Sequence, residues 1–229
     1  MTVHDACLLL HTDRLRLLRK VTGAGAAAEL SRTLDAVGID HFAIAEASVG
    51  ALPVVPVRWL QFQPEVLVLG LGPARKLEID FGDLLLLVRG EIVREKHRQR
   101  RRITASRSMT PGLRLHFYGE EATVAAELDT EAFDWDVLDR ERSHSTVLNC
   151  KRLVDRICRR APGVQLDRGF DREPIALSRA RMDSDPSSML AGAAEGKDKQ
   201  EGVLYDNEAQ FRFYARWRYL AACAARRRG

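Results

Sequence analysis

The stretch "DLLLLVRGEIVREKHRQRRRITAS", residues 83–106, decides the fold. Leu84 to Val88 offer no polar face, so a strand here must be covered by a helix or a second sheet. From Arg94 the texture changes: Arg94 to Ser106 hold six Lys/Arg against one Glu, and a Thr/Ser-containing end follows. Beyond them "LRLHFYG", 113–119, sets Leu113, Leu115 and Phe117 on one face at period two, which reads as another strand. The basic run therefore joins two strands.

Toward the N-terminus, from Pro53, short apolar stretches alternate with Gly, Pro and Asp ("VPVRWLQFQ", "EVLVLGLG", "KLEIDFG"), a spacing that predicts antiparallel strands. Earlier still, "ACLLL", 6–10, reads as a short strand, followed by helical spacing in "DRLRLLRKV". In "AAAELSRTLDAVG", Ala27, Leu30, Leu34 and Val37 recur at steps of three and four, and Gly38 stands at a helix C-cap. "IDHFAIAEASV", between Gly38 and Gly50, favours a strand through its β-branched and aromatic content.

Toward the C-terminus, "ATVAAELDTEAFDWDVL" reads as a strand entering a turn. Residues 143–161 form a helix with Val147, Cys150, Val154, Ile157 and Ala161 as its apolar stripe, ended by Pro162 and Gly163. Residues 163–204 are rich in Gly, Asp, Ser, Lys and Glu and read as a mobile linker. The last segment, "YDNEAQFRFYARWRYLAACAARRR", is helical and aromatic, with Phe213, Trp217 and Leu220 as its most apolar face and a candidate docking surface.

The 229 residues are 45% hydrophobic, enough to bury a sizeable core, and 36 Lys+Arg against 32 Asp+Glu leave a net charge of only +4, so any basic function is local. The N-terminal apolar stretch lacks the length and charge order of a signal peptide, and no run approaches the roughly 20 residues of a membrane span. A cytoplasmic location is expected. Cys7, Cys150, Cys158 and Cys223 are scattered, without the close pairs of a zinc site, and read as reduced core residues.

Three motifs invite chemistry. Gly23, Gly25 and Ala28 satisfy GxGxxA, with Glu46 downstream, but the preceding residues carry Arg16, Arg19 and Lys20 at helical spacing where a dinucleotide site needs a buried strand. A glycine-rich turn between helices is the reading. Glu127, Asp129, Glu131, Asp134, Asp136 and Asp139 include a DxD, yet they alternate with Ala126, Leu128, Phe133 and Trp135 like the wet face of a half-buried strand and its exit turn. The basic run, with Lys96, Arg98, Arg100, Arg101 and Arg102 as candidate contacts, reads first as a solvated connection that keeps a sheet edge soluble. Phosphate binding is its alternative, and "RRRITAS" is a weak phosphoacceptor context. No Phe, Tyr or Trp lies between Arg89 and Thr110, so base stacking from this run is not available. No hydrolase or nucleotide motif is present, the six histidines stand singly, and no cofactor or metal is expected. A site assembled only in three dimensions stays open.

In "DFGDLLLLVRGEIVRE", "FDWDVL", "LNCKRLVDRICRRAP" and "YDNEAQFRFYARWRYL" the order of elements resembles uncharacterised bacterial proteins in which a small α/β unit precedes a pleckstrin-homology-like β segment. The resemblance spans roughly residues 5–162 and the final helix, and implies architecture without an activity. The segment "AAELSRTLDAVGIDHFAIAE" is similar to small ferredoxin-like signalling modules.

The expectation is an α+β protein: residues 1–52 a ferredoxin-like α/β unit, 53–162 a pleckstrin-homology-like antiparallel sheet with a capping helix, 163–204 a linker and 205–229 a helix docking back. The expected function is a non-catalytic cytoplasmic interaction or regulatory module, its partner another protein. Phosphate binding to nucleic acid or anionic membrane through 94–102, or a small enzyme, are the alternatives.

Overall fold

The computed structural model describes residues 21–98, 106–172 and 201–227; for 94–98, 106–111, 172 and 201–206 the description is of the backbone. It is a mixed α+β fold with two sheets. Helices α1 (Ala24–Ala36) and α2 (Glu46–Ala51) lead into β1 (Val54–Val57), β2 (Trp59–Phe62), β3 (Val66–Gly70) and β4 (Lys76–Asp80). Then come the long strands β5 (Leu84–Arg98) and β6 (Ser106–Gly119), β7 (Ala125–Asp129), a 3-10 helix Trp135–Glu141, and α3 (Thr146–Arg160). Strand β8 (Gln165–Asp167), a 3-10 turn Phe170–Arg172, β9 (Glu201–Asp206) and α4 (Glu208–Arg226) follow.

Strands β2, β3 and β4 make an antiparallel meander, while the larger sheet runs β1-β7-β6-β5-β8, with β9 also on β5. Within it β1 pairs β7 and β8 pairs β5 in parallel; the other pairings are antiparallel. The apolar run at the start of β5 has its cause here, because both faces of the large sheet are covered. Leu87, Leu115, Phe117 and Leu128 pack with Leu60, Leu67 and Leu69 of the small sheet and with Leu153, Val154 and Ile157 of α3. Leu86, Val88, Ile92 and Tyr118 pack on the other side against Val49 of α2 and Phe211, Tyr214 and Trp217 of α4. Each fully buried aliphatic or aromatic side chain is worth about 1.5–3 kcal/mol.

The edges of the large sheet are closed one group at a time. On β5, β8 covers Leu86 to Val88 and β9 covers Arg94 to Arg98. Between them Asp171 accepts from Glu91 N–H at 2.7 Å, and the Asn207 side chain accepts from Val93 N–H at 2.9 Å and donates to Glu91 C=O at 3.1 Å. Asn207 thus does with its amide what a strand does with its backbone. On β6, Thr130 Oγ1 stands 3.2 Å from Leu113 N–H and Thr130 N–H donates to Leu113 C=O. Backbone polarity alternates along a strand, so Pro111 turns its N-terminal side the same outward way, and a proline there has no N–H to offer a pairing chain.

Helix α1 ends in a Schellman motif, with Ile39 N–H on Leu34 C=O at 3.0 Å, Gly38 N–H on Asp35 C=O at 3.0 Å, and Gly38 at φ 70°. The expected C-cap glycine does that work. Helix α3 matches its predicted span within a few residues, capped by Ser145, and stops before Pro162. Its stripe is corrected at one place: Val147 is 58% exposed and Leu153 takes the core position. Arg152, Arg156 and Arg160, four residues apart, donate to the carbonyls of Glu141, Val137 and Gln63 and fasten the helix along one flank.

Three expectations change. Residues 39–49 form no strand: 39–45 carry no regular structure and 46–51 are helical, because Ala45 to Ala51 lack the period-two alternation of a strand with one buried face, and α2 buries Val49 instead. No strand occurs among the described residues of 1–52, and the expected strand at 6–10 lies outside them. The expected linker holds strands at both ends, since β8 and β9 find partners on β5 that composition could not show; 173–200 lie outside the described residues. Residues 94–98 of the basic run are strand and not loop, because cross-strand pairing with β6 continues to Arg98↔Ser106.

Candidate functional site

A closely packed group of charged side chains lies beneath α4. On the α4 side of the large sheet, β6 places Arg114, His116 and Tyr118 at alternate positions, and β7 places Glu127 and Asp129 beside them, in the register His116↔Glu127. His116 has no exposed surface and Glu127 is 5% exposed. His116 Nε2 is 2.9 Å from Glu127 Oε2, and a carboxylate only accepts, so Nε2 carries the proton. Nδ1 is then the acceptor for the Tyr118 hydroxyl at 2.9 Å. Arg212 closes the group with a bidentate fork, Nε to Glu127 Oε2 at 2.9 Å and Nη2 to Oε1 at 2.6 Å, and Nη2 also meets Glu208 Oε1 at 2.6 Å one helical turn earlier.

Burial holds the His116 imidazole below its usual 6.5, against the pull of Glu127, and Arg212 and Arg216 push the same way. Burial alone would raise Glu127; the Arg212 fork and the His116 bond outweigh it and bring the carboxyl to about 2. Burial raises Tyr118 far above the ordinary phenol range. At neutral pH the group is a neutral imidazole, a carboxylate and a guanidinium, each satisfied by the others. Phe211 seals it with an edge-on contact to His116 at 4.9 Å, and Tyr219 stacks on Tyr118 at 4.7 Å. An acid, a base and a relay partner are present, yet the His116 ring is wholly covered, so the arrangement holds α4 and offers no reacting atom to a substrate from outside.

Two neighbouring groups fasten the same helix. Asp167 accepts from Tyr214 Oη at 3.0 Å, from Gly169 N–H at 2.6 Å and from Arg218 Nε. Arg216 donates to Leu52 C=O at 3.2 Å and so ties α4 to the end of α2. Arg114, 2% exposed, gives Nη1 to Asp129 at 2.5 Å, while its Nε has no partner among the described residues. Among the described residues no group of three or more His, Cys, Asp or Glu is placed to hold a metal ion.

The expected wet face is corrected at Glu127, which α4 covers and Arg212 neutralises; Asp129 is 30% exposed and pairs with Arg114, and Glu131, Asp134, Asp136 and Asp139 are exposed as expected. The expected apolar face of α4 meets the core and is joined by further residues. Its contact is wider than expected: Trp217 is buried, Phe213 and Leu220 are partly buried against the same core, and Phe211, Tyr214, Ala215 and Tyr219 are buried with them. Of the basic run, Lys96 and Arg98 stand on β5, while Arg100, Arg101 and Arg102 lie outside the described residues. His116, Tyr118, Glu127 and Arg212 had no sequence motif; the one usable signal was the alternation of His116 and Tyr118 on a strand whose other face is apolar. The DxD does not assemble a site: Asp134 caps Asp136 N–H at 3.0 Å and Asp136 pairs with Arg142 at 2.7 Å. Glu46, the acidic partner of the glycine pattern, sits in the first turn of α2, and Gly23 opens α1 at φ 89°.

Pairing of β5 with β6 continues from the last core pair region, Ile92↔Gly112, to Arg98↔Ser106, and β9 adds a third strand over Arg94 to Arg98. Six residues at about 3.4 Å each make a ribbon reaching about 20 Å past that point. Comparison with protein-family models, with curated proteins and with solved structures finds no match.

Proposed function

We propose that the chain is a non-catalytic interaction or regulatory module of the cytoplasm, and that the end of the β5–β6–β9 ribbon is the element it presents to a partner. One observation carries the reading. Residues 94–107 hold seven Lys/Arg against Glu95, a net +6, and β9 brings Glu201 and Asp206, leaving +4, which is the net charge of the whole chain. The rest of the molecule sums to zero. A concentration of one sign of charge in one stretch of the chain steers a partner of opposite charge toward it.

The cytoplasmic part of the proposal is supported by the unpaired thiols of Cys150, Cys158 and Cys223, and no helix among the described residues is long and apolar enough to cross a membrane. The pleckstrin-homology-like reading of 53–162 belongs to the same proposal. Its support is the chain order: a three-stranded meander, then β5, β6 and β7, then a helix packed on the core the two sheets share.

The test immobilises the full chain and a Lys96→Gln/Arg98→Gln/Arg107→Gln variant and compares what each retains from native lysate at low and high salt. Salt-sensitive retention by the first and its loss in the second is expected. Equal retention by both overturns the ribbon as the partner-facing element.

A further inference from the structure

We infer that Arg89 and Arg168 form a binding site for a phosphate dianion on the α3 side of the large sheet, separate from the ribbon and independent of its reading. The register places the two side chains. Strands β5 and β8 run parallel with Leu87↔Leu166 and Val88↔Asp167. Leu87 and Leu166 turn to the core shared with α3, whereas Val88 and Asp167 turn to α4. Side chains alternate along a strand, so the next residues, Arg89 and Arg168, leave side by side beneath α3. Both guanidinium groups act on the thiol of Cys150, a buried residue of α3: burial pushes that thiol up to about 11, and the two arginines pull against it. Arg168 acts in the same sense on Cys158, further along α3, whose thiol burial also raises.

Like charges set side by side on neighbouring strands are destabilising, and a guanidinium drawn out of water needs a counter-charge. Among the described residues Arg89 and Arg168 have neither an ion pair nor a side-chain hydrogen bond, and the Arg89 Nε is buried without a partner. Arg114 makes the contrast: its Nε is buried and unpartnered too, but Asp129 stands against its Nη1. The carboxylate of Asp155 acts on Cys158 with the opposite sign to Arg168, yet among the described residues it pairs with neither arginine. Charge and shape then select the occupant. Two guanidinium forks offer two positive charges and parallel N–H donors, which suit a tetrahedral dianion whose oxygens are shared between them. A carboxylate brings a single charge and fills one fork. Arg168 is exposed and Arg89 partly buried, so the anion reaches the pair from solvent on the Arg168 side.

The experiment melts the full chain in phosphate-free buffer with inorganic phosphate, glycerol phosphate or acetate added, ionic strength being held constant with sodium chloride. Inorganic phosphate is expected to bind with Kd of about 1 mM, so that about 10 mM raises the melting temperature by about 3–5 °C, while acetate leaves it unchanged. Glycerol phosphate bound about ten-fold more tightly than inorganic phosphate assigns the site to a phosphorylated small molecule, and binding equal within about two-fold assigns it to the free ion. Arg168→Gln alters an exposed side chain, so it should melt as the full chain does in chloride and lose the phosphate response. Arg89→Met keeps an apolar stem and should lose the response as well; if it fails to fold, Arg168→Gln carries the test. In a proton–nitrogen correlation spectrum the Arg89 Nε–H signal should move with added phosphate in the full chain and stay still in Arg168→Gln. A phosphate response that Arg168→Gln keeps, or none in the full chain, or a response that acetate matches, overturns the inference.

Discussion

Glu127 is the residue on which the docking of α4 turns, since His116 Nε2 and the Arg212 fork both bond to its carboxylate. Replacing Glu127 with Gln leaves a guanidinium and an imidazole facing a neutral amide. We expect a loss of about 2–3 kcal/mol in urea unfolding, below the usual range for a broken buried pair because Arg212 keeps Glu208 and stands partly in water. The same group sets a pH dependence. His116 is depressed in the fold, so in the window below its unfolded 6.5 the unfolded chain binds the proton more readily and stability falls with falling pH. Glu127 at about 2 adds a second loss as pH falls below its unfolded 4.5. Thermal melts should therefore drop between pH 7 and pH 5 and again below pH 4.5, and His116→Gln should flatten the first drop while leaving the second. Gly90 makes a steric counterpart: a Cβ there would lie 2.4 Å from Phe211 Cδ2 and 2.8 Å from Phe170 Cδ1. Gly90→Ala should cost about 1–3 kcal/mol by displacing Phe211 from its place over His116.

At the scale of the element, α4 is held by polar clamps along its length and an aromatic face, and its own N-cap is given up to the sheet. Asn207 makes no side-chain cap, because its amide is committed to Glu91 and Val93 of β5. Asn207→Ala should therefore act on the sheet edge more than on the helix. It leaves one N–H and one C=O of β5 without their partner, at about 1–2 kcal/mol, and hydrogen exchange at Val93 should accelerate while the middle of α4 keeps its protection. Removing residues 208–226 uncovers Leu86, Val88, Ile92 and Tyr118 at once. The shortened chain should aggregate or bind a hydrophobic dye, and a soluble product with an unchanged melting temperature would show that α4 is detachable.

For the molecule as a whole, the two cores lie on opposite faces of one sheet, and β5, β6 and β7 contribute to both. Loss of either covering layer therefore exposes strands that the other layer needs. Unfolding is expected to be cooperative, with tryptophan fluorescence, which includes Trp135 of one core and Trp217 of the other, tracing the same denaturant midpoint as far-UV circular dichroism. Two separated midpoints would mean that the layers fold independently. Lys96, Arg98 and Arg107 stand on β5 and β6 beyond the pair Ile92↔Gly112, so neutralising them should shift the melting temperature little.

The sequence by itself determined the local elements whose signals are short-range. The Leu34 to Ile39 helix end needs only a glycine that tolerates positive φ, and α3 needs only its apolar period with Ser145 before it and Pro162 after it. It determined that Leu84 to Val88 is covered on both faces. Tertiary structure alone decided the rest. Gln165 to Asp167 and Glu201 to Asp206 carry no strand signal of their own strength and become strands because β5 offers them an open edge. Glu127 reads as wet on a half-buried strand until α4, more than 80 residues later in the chain, covers that face and supplies Arg212. The aromatic residues of α4 fall around most of its circumference, so its period admitted several faces; the clamps at Glu127 and Asp167 select the one with Phe211, Tyr214 and Tyr219. Periodicity records how a segment would bury itself, whereas which distant segment does the burying is set by complementarity of charge and shape that no local window contains.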